Sequence, residues 1–147
     1  MPHPRRLAAI TRYLIAVACG NLLWETAQLP LYTLWRDGTA SSIAKAVLHC
    51  TGGDVVIATG ALVGALAVIG GPEWPNKGWI RVCVTTLGIG IAYTILSEYL
   101  NTVVRRSWTY TELMPTLPWL GTGLAPLAQW IVVPFVALVF ARMRTAD

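Results

Sequence analysis

Charge is what this sequence is short of. Only 12% of its 147 residues are Asp, Glu, Lys or Arg, against about 25% in a soluble domain. A globule of this size needs charge to cover its surface. A soluble enzyme, a disordered chain and a nucleic-acid binder are therefore poor readings, despite a net charge of +4. Lysine is limited to Lys45 and Lys77. Both fall in connections between apolar stretches, which excludes a retinal-type Schiff base inside a bundle. Histidine is limited to His3, in a tail, and His49, so two axial ligands for a buried haem are lacking. The three cysteines, Cys19, Cys50 and Cys83, lie on three different apolar stretches without a C-x-x-C pair. They read as packing residues, not as a disulfide framework. His49, Cys50 and Asp54 supply only part of a zinc set. No P-loop, Rossmann glycine pattern or nucleophile elbow is present, so neither a metal nor a cofactor is expected.

What the chain has in quantity is apolar length. Hydrophobic residues make up 55%, and a helical span needs about 20 of them in succession. Four stretches qualify, at about residues 7–29, 43–70, 81–104 and 124–141. They use most of the chain and leave no room for a soluble domain. The expected fold class is all-α: a polytopic membrane protein, one transmembrane domain over residues 1–147, a four-helix bundle with a long aromatic third connection. Seven Trp and five Tyr suit rings placed at the two water interfaces. One side of the bundle carries Arg5, Arg6, Arg12, Lys77, Arg81, Arg142 and Arg144; the other carries Arg36, Lys45, Arg105 and Arg106. The positive-inside rule then puts both termini in the cytoplasm. Arg5 and Arg6 before an apolar run also suit a signal peptide. The apolar stretch continues through Leu22, Leu23 and Trp24 and favours a retained span.

The informative residues are those that do not belong in lipid. Asn21, Glu25 and Gln28 repeat at i, i+4 and i+7, one helical stripe that the chain continues to Tyr32. Gly90, Thr94, Glu98, Asn101 and Arg105 repeat that spacing on the third span. The second carries His49, Cys50, Thr51 and Asp54 around Gly52-Gly53, and the fourth carries Gln129-Trp130. With alternating span directions, all four groups come to one level in the outer half. The inner half is almost entirely Ala, Val, Leu, Gly and Ile.

A charge at mid-bilayer costs about 2.5–3.5 kcal/mol, so three carboxylates together would cost roughly 7–10 kcal/mol. They are expected to face one another, water or a ligand. Glu25, Asp54, Glu98 and His49 are the candidate acid–base groups. Asn21, Gln28, Asn101 and Gln129 are candidate ligand-binding amides. The connection from Arg105 to Gly123 adds Arg105, Arg106, Trp108 and Tyr110, either as a lid whose arginines meet a headgroup or as an aromatic interfacial loop.

Plainer roles stand beside these. Glu25 suits an interfacial position next to Trp24. Thr51-x-x-Asp54 has capping-box spacing, which would start the second span at Thr51 and leave His49 in a loop. Glu98 has Arg105 at i+7 and Arg106 beyond it as ion-pair partners. Asn and Gln also serve as glue between helices, at about 0.6 kcal/mol each. Gly60-x-x-x-Gly64, Ala61-x-x-x-Ala65, Gly88 and Ala92 are expected to let helices approach closely. Pro134 is expected to kink the fourth span.

The strings Trp24-Glu25-x-x-Gln28-x-Pro30-Leu31-Tyr32, His49-Cys50-Thr51-Gly52-Gly53-Asp54 and Ser97-Glu98-Tyr99-Leu100-Asn101 resemble small bacterial four-helix integral membrane proteins. That likeness covers most of the chain and implies no named activity. In layout the chain also resembles the emopamil-binding (EXPERA) group, whose sterol isomerases arrange His, Glu, Asn and Trp around a lipid-sized cavity. Glu98 and the helix count suit that layout. The residue four after His49 is Gly53, and the last span has Gln129-Trp130 in place of Asn with Trp, so no catalytic residue is carried over.

Three functions follow from these residues. The first is binding or acid–base modification of a lipid-like, isoprenoid or sterol-like, molecule. The second is a non-catalytic place in a larger membrane complex or homo-oligomer. The third is a small proton-coupled transporter, which the apolar inner half disfavours.

Overall fold

The computed structural model describes residues 4–143; His3 and Arg144 lie outside them. Among the described residues the fold is all-helical, with four helices long and apolar enough to cross a membrane. Helix α1 is Pro4–Ala27, a 3₁₀ turn follows at Leu29–Leu31, and α2 is the single turn Leu34–Asp37. Helix α3 is Ala40–Ile69 and α4 is Trp79–Tyr99, which runs on into a π-helical turn at Leu100–Val104. Helix α5 is Leu124–Arg142.

Local chemistry sets these limits. Pro30 lacks the N–H that a continued α1 needs and sits at the start of the 3₁₀ turn. Thr39 caps α3, its hydroxyl accepting from the Ser42 amide at 3.2 Å. The second long helix therefore starts three residues before the expected position, and Lys45 and His49 both lie on it rather than in a connection. Gly78, with φ of 71°, turns the chain into α4 in a conformation that side chains resist.

The four long helices close into a ring. Helix α1 packs on α5 and α3, and α4 packs on α3 and α5, so neighbours run antiparallel. At one end the interior is dense and apolar. Tyr13, Val17, Ala58, Leu62, Ala65, Val82 and Leu138 are almost wholly shielded, and the Tyr13 hydroxyl donates to the Ala58 carbonyl at 3.3 Å. This is the packed end. Trp79 Nε1 donates to the Leu138 carbonyl at 3.0 Å, and Arg12 Nη1 to the Met143 carbonyl at 2.7 Å. Outward faces carry apolar side chains in the open, with Leu23, Val56 and Val68 each more than 70% exposed.

Close approach is made by glycines other than those expected. A β-carbon on Gly90 would lie 2.3 Å from the Trp130 ring, and one on Gly20 would lie 2.8 Å from Val133 Cγ1. Gly60, Gly88 and Ala92 instead face outward, while Ala61 and Ala65 are buried. Of the G-x-x-x-G pair only Gly64 meets a neighbour, Ile89, at 4.0 Å from where its β-carbon would stand. Pro134 is buried in α5, and helical structure continues through it.

Candidate functional site

The other end of the bundle is the capped end. Its centre is the amide of Gln129, near the start of α5 and 2% exposed. Gln129 Nε2 lies 3.0 Å from Asn21 Oδ1, 3.0 Å from Glu25 Oε1 and 2.9 Å from Asp54 Oδ2. Gln28 Nε2 donates to Glu25 Oε1 at 3.0 Å and reaches Gln129 Oε1 at 3.4 Å. Three helices thus contribute to one polar knot. The stripe on α1 makes this possible, because residues at i, i+4 and i+7 share a face. Asn21 sits behind the knot and positions Gln129; it does not line the cavity described below.

Glu98, on α4 and 7% exposed, forms a second polar centre. It accepts from the Tyr110 hydroxyl, which in turn accepts from the Gly123 amide at 3.1 Å. The expected ion pair of Glu98 with Arg105 or Arg106 is not formed. The π turn explains the loss for Arg105, and a φ of 53° takes Arg106 out of the helix. Arg105 N–H bonds the Leu100 carbonyl at 2.7 Å, and a π turn takes one more residue than an α turn. Residues beyond it are rotated by about 100° from the α-helical stripe. Arg105 and Arg106 end up exposed at the rim.

The first and third connections are joined across the top. Tyr32 and Tyr110 pair as an antiparallel bridge with their rings edge to face at 5.5 Å. The Thr33 amide donates to the Thr109 carbonyl at 3.1 Å, and the Thr111 amide to the Leu31 carbonyl at 2.9 Å. Arg36 holds Glu112 in a two-pronged ion pair. That guanidinium keeps the exposed Glu112 carboxyl below its ordinary range, while burial and the nearby carboxyls keep the Tyr32 phenol well above its own. The connection is both a cover and an interfacial segment: Tyr110, Thr111 and Met114 turn inward, and Trp119 is fully exposed.

Beneath this cover lies a cavity of about 700 Å³. Glu25, Asp54 and Glu98 line it from three different helices, with Gln28, Asn101 and Gln129 among them. Arg105, Arg106 and Trp108 line it from the cover. Tyr110 does not line it and acts by holding Glu98. Asn101 is committed to its own helix, donating to the Ser97 carbonyl at 2.9 Å. His49 is exposed on α3 at the cavity's edge. The capping-box role for Asp54 is corrected, because α3 begins at Ala40 and Asp54 lies well inside it. Two polar atoms with no protein partner also belong to lining residues: the carbonyl oxygen of Gln28 and the indole N–H of Trp108.

Several lining or supporting residues stand outside the expected set. Tyr93 and Trp130 line the cavity, and Gly90 makes room for Trp130. Arg36 and Glu112 were legible as a pair only once both connections were placed at one end. Among the described residues, no cluster of three or more His, Cys, Asp or Glu could hold a metal ion. No protein-family model matches the chain, and neither a curated protein nor a solved structure does.

Proposed function

We propose that this chain is a multi-pass membrane protein that holds a lipid-like molecule and acts on it as acid and base. The observation that carries this reading is the delivery of Glu25, Asp54 and Glu98, by three helices, to one 700 Å³ cavity above an apolar core. A bilayer accounts for the exposed apolar belt, since such a surface is unfavourable in water. The excess of Lys and Arg at the packed end supports a cytoplasmic position for the termini. Polar groups above and hydrocarbon below suit an amphiphile with an isoprenoid or sterol-like body, its head toward the cover.

The chemistry divides between the two centres. Glu98, steadied by Tyr110, is the proton donor toward a double bond or hydroxyl. The Glu25–Asp54 pair, bridged by Gln129, takes a proton back. The dense apolar packing of the other end leaves no matching polar route and weighs against a channel or carrier. Lipid extraction and mass spectrometry of the purified protein test the proposal. A bound lipid should be converted by the native chain and retained unconverted by Glu98→Gln. Equal conversion by Glu98→Gln removes Glu98 from the reaction.

A further inference from the structure

The knot about Gln129 is one hydrogen short. A side-chain amide nitrogen carries two hydrogens, yet Gln129 Nε2 has three acceptors within 3.0 Å, two of them carboxyl oxygens. The Gln28 carbonyl oxygen is a further acceptor, buried and unpartnered on a residue only 6% exposed. The knot about Gln129 Nε2 therefore gathers more acceptors than that nitrogen has hydrogens, while the donors of the lining, the Trp108 indole and the exposed Arg105 and Arg106, come from the cover. A guest that completes the knot donates hydrogens, and a cationic one also offsets its carboxyls.

A second hollow adjoins the cavity on one side. Smaller, at about 500 Å³, it shares His49, Gly53, Ile57 and Tyr93 with the first and continues to Leu48, Gly52 and Val56 on the outer face of α3. Gly52 and Gly53 leave open space where side chains would stand. Glycine inside a helix costs about 1 kcal/mol each relative to alanine. Here that cost falls where the two hollows share their lining. The cover above is meanwhile closed by the bonds between Tyr32–Thr33 and Thr109–Thr111.

We propose that the guest is a lipophilic amine, its ammonium seated between Glu25 and Asp54 and its single hydrocarbon tail leaving past Gly52–Gly53. An ammonium brings three N–H donors to these carboxyl oxygens and adds charge-assisted bonds in a water-poor site. A fatty acid brings another anion to a chamber that already has three carboxyls. An alcohol brings one hydrogen and no charge. The inference rests on the reading of the cavity as a lipid chamber and names the class of molecule it takes.

The test uses the purified full chain in a maltoside detergent, with dodecylamine, dodecanol and dodecanoate as probes. Thermal unfolding and tryptophan quenching report binding. Dodecylamine should bind at least about tenfold more tightly than either other probe. The Glu25→Gln/Asp54→Asn double variant should lose that preference. Gly53→Leu fills that open space without removing a polar group; it should keep or raise the melting temperature without probe and weaken dodecylamine binding about tenfold. Equal binding of dodecanol, or an undiminished preference in the double variant, overturns the ammonium assignment. Unchanged affinity in Gly53→Leu overturns the tail route. Amine preference with no lipid conversion by the native chain keeps this inference and ends the catalytic reading. Conversion of a neutral lipid without amine preference does the reverse.

Discussion

At the packed end Tyr13, Val17, Leu62 and Leu138 are shielded among one another, with the Tyr13 bond to α3 as a polar tie. At the capped end carboxyls and amides from α1, α3, α4 and α5 surround open space. The two regions use the same four helices for different ends. Dispersion between close-packed apolar groups holds the first, while hydrogen-bonded amides and carboxyls shape the second around a cavity. Close packing resides in the half without carboxyls, and the half that carries them is built on the same four helices.

The sharpest way to break the contrast is to empty the packed end. Leu138→Ala should cost about 2–5 kcal/mol through lost contacts and an internal void, read as a lower melting temperature in detergent. Protein that remains folded should keep lipid conversion, since Leu138 lies outside the cavity. A large loss of conversion per folded molecule would mean that the halves are not separate. Gln129→Leu should do the opposite. It strands Asn21, Glu25 and Asp54 without their shared donor, at a cost of about 1–3 kcal/mol, and conversion should fall much further than stability.

The weakest effect is expected at the cover. Arg36 lowers the Glu112 pKa, so the pair contributes fully above the ordinary carboxylate range and is lost as pH falls through the lowered value. Because both side chains are mostly exposed, screening leaves the melting temperature unmoved. Hydrogen exchange at the Thr33 and Thr111 amides, corrected for its intrinsic pH dependence, should rise below pH 4.5. Arg36→Ala should show that loosening already at neutral pH. A cover that exchanges identically in both proteins would show that backbone pairing alone keeps it shut.

How much could be read in advance varies by residue. Asn21, Glu25 and Gln28 were legible because a period of 3.6 is local, and so were four apolar spans of the right length. The bond from Gln129 to Asp54 was not, since no local rule joins residues 75 apart in sequence. Gly60 and Gly88 were misassigned because small residues look alike whether they meet a helix or the surroundings. Gly90 needed Trp130 placed before its purpose was visible. Arg105 went astray for a different reason: counting by sevens assumes an unbroken α-helix, and Leu100–Val104 is not one.

The widened turn at Leu100–Val104 has a consequence for charge. Were the segment to tighten to ordinary helix with all its residues kept, Arg105 would fall seven places and about two turns beyond Glu98 and swing its guanidinium over it. The acid in that chamber would then be neutralised by its own chain. A single widened turn thus separates a compartment whose acid stands clear of its own cations from one that would supply its own counter-charge.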